Sequence, residues 1–128
     1  STSTPIAAGE NEYTRYGFRD MINARSADIL QPDALVLGGI TEFMKISALA
    51  QANDLDISPH GAQEVHIHLV SAIPNGLILE FYNDTVDPMW GKSYTETIDI
   101  KDGYVSPPDL PGLGLELNKK ELEKYRVL

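Results

Sequence analysis

The sequence contains no cysteine, which excludes both a disulfide scaffold and a thiolate zinc site. It also lacks an apolar run near the roughly 20 residues that a transmembrane helix needs, and nothing in it resembles a signal peptide. Basic residues are few, since 10 Lys and Arg stand against 19 Asp and Glu and give a net charge of −9. This charge would repel a phosphate backbone. We therefore expect a soluble, cytoplasmic protein with no membrane or nucleic-acid partner.

The composition is that of one globular domain. The chain has 128 residues, of which 42% are hydrophobic and 23% are charged, and these values argue against disorder. Such a length permits a single modest core. The acidic excess is compatible with a hard cation such as Mg²⁺, although most acidic surfaces are simply solvated.

Apolar segments alternate with helical patterns along the first two thirds of the chain. Four segments are typical of strands (TPIAAGE, ADILQPD, LDIS and GLILEFY), and three helical patterns lie between them (TRYGFRDMINAR, GGITEFMKISALAQAND and AQEVHIHLVSA). The first helix places one face toward the core, formed by Phe18, Met21, Ile22 and Arg25. Thr14 and Thr41 are suited to N-cap the first two helices, and Glu42 to the positive end of the second. Repeated β-then-α units predict an α/β fold with about four parallel strands, the last covered on both faces.

The remaining residues have a different pattern. A hairpin is predicted around Lys101-Asp102-Gly103, followed by an irregular segment rich in Pro and Gly and a short charged helix from Lys119 to Lys124.

An ionisable residue lies at or near the C-terminal end of each predicted strand, and the four residues are Glu10, Asp33, His60 and Glu80. They are spaced by about one β/α unit. In parallel α/β folds, active sites are assembled from residues at the carboxyl edge of the sheet, so we expect these four side chains to converge there.

Three histidines lie close together in DISPHGAQEVHIHL, and they do not form a metal cluster. On a helix, His66 and His68 lie about 200° apart around the axis, so they cannot bind one ion. A cupin-type H-x-H site fails because the next glutamate, Glu80, is too distant. We therefore predict a structural role for His66 and His68, and a chemical role for His60 beside Asp33, whose carboxylate would fix the imidazole tautomer.

The order and spacing of six segments resemble the C-terminal part of the mandelate racemase/muconate lactonizing enzyme branch of the enolase superfamily. The segments are IAAGEN, GFRDMI, DILQPDALVLGGITEFMKISALA, SPHGAQEVHIHLVSAIPN, LILEF and PDLPGLGLELN. GENEYTRYGFRDMI is similar to sugar-acid dehydratases, whereas PHGAQEVHIHL is nearer to racemases and aldarate dehydratases. The resemblance implies the C-terminal part of a (β/α)₇β TIM-type barrel, with residues 1–90 in the barrel. Residues 91–128 would form a hairpin and tail that packs toward the capping domain.

The resemblance also implies a chemistry. Members of this superfamily bind Mg²⁺ through carboxylates at strand ends and use a Lys or His base to remove the proton α to a carboxylate, a well-known property of the superfamily. The implied roles are Glu10 as a metal ligand, His60 as the base, Asp33 as its partner, Glu80 as a hydrogen-bonding group for the substrate carboxylate, and Asn11 and Arg15 as weaker substrate contacts. Dehydration of a sugar acid to a 2-keto-3-deoxy acid is favoured. A racemase or epimerase of a 2-hydroxy acid and an inactive fragment that acts only in oligomerisation or binding remain open.

The family features that these 128 residues do not include are the capping domain, the first four strands and two of the three metal carboxylates. One carboxylate cannot hold Mg²⁺ usefully, because the ion keeps its waters unless several hard ligands converge. We therefore expect the chain alone to be inactive, and to act as a homo-oligomer or together with an N-terminal half.

Overall fold

A small parallel sheet forms the centre of the first part of the chain. The computed structural model describes residues 3–127, and the chain divides into two compact units, Ser1–Glu80 and Phe81–Leu128. The first unit contains β1 (Ala7–Ala8), β2 (Ile29–Leu30) and β3 (Asp56–Ile57), which pair in this order and in parallel. The predicted α/β fold with parallel strands is confirmed.

Helices connect these strands. Helix α1 (Thr14–Asn23) joins β1 to β2, α2 (Ala34–Leu37) and α3 (Ile40–Gln51) join β2 to β3, and α4 (Gln63–Ala72) follows β3. The short helix α2 was not predicted, although common capping residues stand at its start and its end. The Leu35 N–H donates to Asp33 Oδ1 at 2.8 Å at the start, and Gly38 ends the helix with a φ of 114°.

The core of this unit lies between the sheet and the helices. Its largest completely buried side chains come from α1, β2, α2, α3 and β3, and they are Phe18, Leu30, Leu37, Phe43, Ile46 and Ile57. Met21 and Ile22 pack partly buried against this core, as predicted. Arg25 does not, because α1 ends at Asn23 and leaves Arg25 exposed beyond it.

The segment GLILEFY does not form the predicted fourth strand. The Ile57 N–H donates to the Asn75 carbonyl and the Leu77 N–H to the Ile57 carbonyl, both at 2.8 Å, but this contact is a single isolated bridge. Leu77 and Ile78 are 52% and 64% exposed, so the expectation of a strand covered on both faces is wrong. Within the described residues, the segment pairs with β3 only through the bridge between Ile57 and Gly76, which is too little to form a strand. The sheet formed by the described residues has three strands rather than about four.

Neither predicted threonine occupies a cap position. Thr14 is the first residue of α1, where its Oγ1 accepts from the Tyr16 N–H at 3.4 Å, and the Arg15 N–H donates to Glu42 Oε1 at 2.9 Å. Gly39 occupies the cap position of α3 with a φ of 95°, so Thr41 lies inside the first turn. Glu42 does lie in that turn, as predicted, where a carboxylate stabilises the positive end of the helix.

The second unit has little regular structure. Lys101 and Tyr104 exchange two backbone hydrogen bonds of 2.8 Å across Asp102 and Gly103, which confirms the predicted turn without a longer ladder. The predicted charged helix is present as α5 (Lys119–Leu122), continued by a 3₁₀ turn, Glu123–Tyr125. Within residues 3–127, no helix has both the length and the apolar character that crossing a bilayer requires.

Candidate active site at the carboxyl edge of the sheet

Asp33 lies between β2 and α2, at the N-cap position of α2. Its side chain is almost buried, and Oδ1 accepts the hydrogen bond from the Leu35 N–H that caps α2. The second oxygen, Oδ2, lies 3.2 Å from His60 Nδ1. The Asp33 carboxylate thus caps α2 and also contacts the imidazole of His60, which lies 27 residues later in the sequence.

His60 follows β3 and points both ring nitrogens at acidic groups. Because a carboxylate oxygen can only accept, the contact with Asp33 places a proton on Nδ1. Nε2 lies 3.4 Å from Glu10 Oε2, and the imidazole side chain is 32% exposed. The ring is therefore oriented by a buried partner while its other nitrogen faces the accessible edge, which is the arrangement that proton transfer requires.

Glu10 and Glu80 reach the same place from opposite sides of the sheet. Glu10 follows β1 and is 53% exposed, and its Oε1 accepts a bond of 3.3 Å from Asn11 Nδ2. Glu80 Oε2 accepts a bond of 2.7 Å from the N–H of Gly61, the residue next to His60. The structure thus brings the four predicted residues together around the loop after β3, although the segment that carries Glu80 is not a strand.

Arg15, the expected weaker substrate contact, is engaged elsewhere. Its Nη1 donates to both carboxylate oxygens of Glu42, at 2.8 and 3.0 Å, and its Nη2 donates to Tyr16 Oη at 2.7 Å. The backbone N–H of Arg15, and then its guanidinium, lower the pKa of the Glu42 carboxyl, while the Glu42 side chain raises the pKa of Arg15. These contacts hold the start of α1 against α3.

Sequence reasoning missed the contribution of His66. Its imidazole is completely buried, with Nε2 accepting from the Ala34 N–H at 2.9 Å and Nδ1 lying 2.6 Å from the Gly61 carbonyl. Burial lowers the pKa of His66, and the Gly61 carbonyl opposes this shift. The signal was available, because His66, Leu69 and Ile73 follow one another at the three- and four-residue spacing of a buried helix face.

The acidic groups include the kind of ligand that a hard cation prefers, but they do not complete a site. Glu10 offers an accessible carboxylate at the edge of the sheet. Within residues 3–127 no group of three His, Asp or Glu side chains has the geometry of a metal site. Glu10 therefore fits a Mg²⁺ site only as one ligand among others.

Parallel strands whose carboxyl edge carries an oriented imidazole and converging carboxylates define an α/β site of the kind found in barrel enzymes. The comparisons identify the family. Residues 1–121 match the family model described as "Enolase C-terminal domain-like", and the chain belongs to this family, in the mandelate racemase/muconate lactonizing enzyme branch of the enolase superfamily. The resemblance noted from the sequence is therefore confirmed.

Curated relatives include two sugar-acid enzymes. The chain is 34% identical to D-xylonate dehydratase of Haloferax volcanii over 99% of its own length and 32% of the relative. It is 33% identical to 3,6-anhydro-alpha-L-galactonate cycloisomerase of Streptomyces coelicolor over 95% of its length and 33% of the relative. The chain thus spans about a third of the length of the curated relatives that it matches.

Solved structures show the same relationship. L-talarate dehydratase from Polaromonas sp., complexed with Mg and L-glucarate, is 38% identical with a TM-score of 0.84, covering 96% of this chain and 33% of that one. A mandelate racemase/muconate lactonizing enzyme from a marine actinobacterium, in complex with magnesium, is 31% identical with a TM-score of 0.91, covering 98% and 36%.

Proposed function

We propose that this chain supplies the C-terminal part of the active site of a Mg²⁺-dependent enzyme that removes the proton α to a carboxylate and dehydrates a sugar acid to a 2-keto-3-deoxy acid. The observation that carries the proposal is the His60–Asp33 pair, with a 3.2 Å contact at the carboxyl edge of a parallel sheet. Relatives named D-xylonate dehydratase, L-rhamnonate dehydratase and L-talarate dehydratase support this choice of reaction.

His60 is the proposed base. Its Nδ1–H donates to Asp33, which leaves the lone pair of Nε2 to accept the α-proton of the substrate. The electron pair from the broken C–H bond moves onto the substrate carboxylate and then expels the β-hydroxyl group. The proton held on Nε2 leaves with that group as water, and the resulting enol becomes the 2-keto acid.

The other residues at the carboxyl edge of the sheet are proposed to bind Mg²⁺ or the substrate. Glu10 is proposed to be one ligand of Mg²⁺, which, when bound, supplies Lewis-acid stabilisation of the negative charge on the substrate carboxylate. Glu80, whose Oε2 accepts from the Gly61 N–H at 2.7 Å, is proposed to donate a hydrogen bond to the same carboxylate from its other oxygen when that oxygen carries a proton. Asn11, beside Glu10, is a weaker proposed substrate contact. The remaining ligands would come from an N-terminal half, or from an associated copy or chain that carries equivalent groups.

The test is a panel of sugar acids assayed with Mg²⁺ for 2-keto acid, using the chain alone and the chain assembled with the N-terminal part of a dehydratase relative. We expect product only in the assembled enzyme. His60→Asn should lower turnover by about 10²- to 10⁴-fold, because the general base is lost. His68→Asn is the matched control, since His68 lies in α4 and is not among the proposed site residues, and it should leave turnover near that of the unmodified protein.

Three results would count against the proposal. Equal losses in the two histidine variants would show that His60 has no special role. A product that keeps its β-hydroxyl group but has the opposite configuration at the α-carbon would indicate a racemase or epimerase. No turnover of any sugar acid by an assembled enzyme that folds would favour a binding module.

A further inference from the structure

His66 occupies a position that packing alone does not explain. It is completely buried in the first turns of α4, with its ring stacked on Phe43 at a centroid distance of 5.8 Å. An apolar ring of similar size could make that stacking contact without bringing two polar nitrogens into the core, and burying such groups is costly unless they are hydrogen-bonded. Both nitrogens of His66 are bonded to the backbone.

These two bonds fix the protonation of the ring. The Ala34 N–H can only donate, so His66 Nε2 must accept with a lone pair. The Gly61 carbonyl can only accept, so Nδ1 must carry the proton in the 2.6 Å contact. A neutral imidazole protonated on Nδ1 is the form that satisfies both bonds.

The two partners of His66 lie next to the proposed catalytic pair. Ala34 follows Asp33 directly, and Gly61 follows His60 directly. Gly61 also donates its N–H to Glu80, so one residue, through its N–H and its carbonyl, connects His66 to a third member of the site. A single imidazole thus joins the loop after β2 to the loop after β3.

The loop that His66 holds has an unfavourable backbone. Gly61 and Ala62 have φ values of 52° and 39°, and Ala62 is in the left-handed region with a ψ of 48°. An alanine in that conformation costs about 1–2 kcal/mol. Such a conformation persists only where surrounding contacts enforce it, and the bond from His66 to the Gly61 carbonyl is one of those contacts.

We propose that His66 is a positioning residue, whose imidazole joins the Asp33 loop to the His60 loop and so sets the distance between the base and its carboxylate partner. The proposal rests on the proposed function for its catalytic consequence, but the hydrogen bonds can be tested independently of activity. His66 does not touch substrate in this account. It acts through Ala34 and Gly61.

The first measurement is the tautomer of His66 in the unmodified 128-residue chain, observed at pH 7.5 by long-range ¹H–¹⁵N correlation of the imidazoles. We expect a neutral histidine that carries its proton on Nδ1 and has an unprotonated Nε2, distinguished from the similarly protonated His60 and assigned to His66 because its signal disappears in His66→Gln and remains in His60→Asn. A charged ring or a proton on Nε2 would overturn the proposal. This result stands even if no sugar acid is turned over.

The second measurement compares three variants in the assembled enzyme. His66→Asn can still donate to the Gly61 carbonyl, His66→Gln can still accept from the Ala34 N–H, and His66→Phe keeps the ring but neither bond. We expect His66→Phe to lower kcat by about 10- to 100-fold, the usual cost of losing a group that orients an active-site residue, with KM changed less than about threefold. The two amides should each restore part of the loss.

The matched control is Leu69→Ala, one turn further along the same helix. Leu69 belongs to the apolar core and its side chain has no polar group with which to bond either loop, so this variant should shift the urea midpoint to lower concentration without reducing kcat in the folded fraction. If Leu69→Ala and His66→Phe reduce kcat equally at equal folded fraction, or if His66→Phe leaves kcat unchanged, His66 is only a core residue. If the unmodified assembly is inactive, the proposed function fails, and the tautomer measurement alone decides the role of His66.

Discussion

At the scale of single residues, this chain separates three histidines that the sequence presents together. His60 is half-exposed and contacts two carboxylates, whereas His66 is buried with both nitrogens on backbone groups. The sequence supported the separation of His60 from the others, because only His60 follows a predicted strand. It did not reveal the contacts of His66, since these depend on how close the loops after β2 and β3 come to each other.

The buried imidazole predicts a pH dependence of folding. Burial lowers the pKa of His66, opposed by the Gly61 carbonyl and by the charges of Asp33 and Glu64, while His60 lowers it further. A histidine whose pKa is lower in the folded state than in the unfolded state stabilises the folded state at pH values above the unfolded pKa of 6.5. This contribution is lost as the pH falls from that value through the lower folded-state pKa, because the unfolded chain then takes up a proton that the folded chain excludes.

The measurement is the free energy of unfolding by urea between pH 7.5 and 5. We expect the stability of the unmodified chain relative to His66→Gln to fall by up to about 1.4 kcal/mol per pH unit below 6.5. The two proteins differ only at position 66, so the comparison isolates the contribution of His66. Parallel curves for the two proteins would contradict the burial of a neutral His66.

At the scale of elements, the alternation of strands and helices was predictable, but their ends were less so. The helix patterns gave α1, α3 and α4 because their apolar residues repeat at helical spacing. The Thr41 cap failed because α3 begins earlier, with Gly39 at the cap position, and at the start of α1 a distant carboxylate accepts a backbone N–H. Glu42, in α3, accepts from the Arg15 N–H in the first turn of α1, and a sequence window around Thr14 cannot contain that partner.

The start of α3 offers a direct test of which residue is the cap. Gly39 has a φ of 95° and a ψ of −178°, a region that is almost restricted to glycine, and an added Cβ would meet no atom within 4 Å. Gly39→Ala should therefore lower the free energy of unfolding by about 1–3 kcal/mol through backbone strain alone. Thr41→Ala should change it by less than about 0.5 kcal/mol, since Thr41 lies within the helix. The reverse order in urea denaturation would restore Thr41 as the cap.

At the scale of the whole molecule, the site was more predictable than the sheet that supports it. Strand-end spacing placed Glu10, Asp33, His60 and Glu80 at one edge, and the structure brings them together. The fourth strand was not predictable from its apolar sequence, because a strand also needs a partner, and the described residues offer it only a single bridge to β3. The chain covers about a third of the length of the curated relatives that it matches.

The central claim is that His60 exchanges a proton with the carbon next to a carboxylate. The direct measurement is deuterium incorporation at the α-carbon of a sugar acid in ²H₂O, catalysed by the Mg²⁺-loaded assembly of this chain with an N-terminal half. We expect exchange in the unmodified protein and a loss of at least about 10²-fold in His60→Asn, with His68→Asn unchanged. Exchange that proceeds equally well without the His60 imidazole would contradict the account.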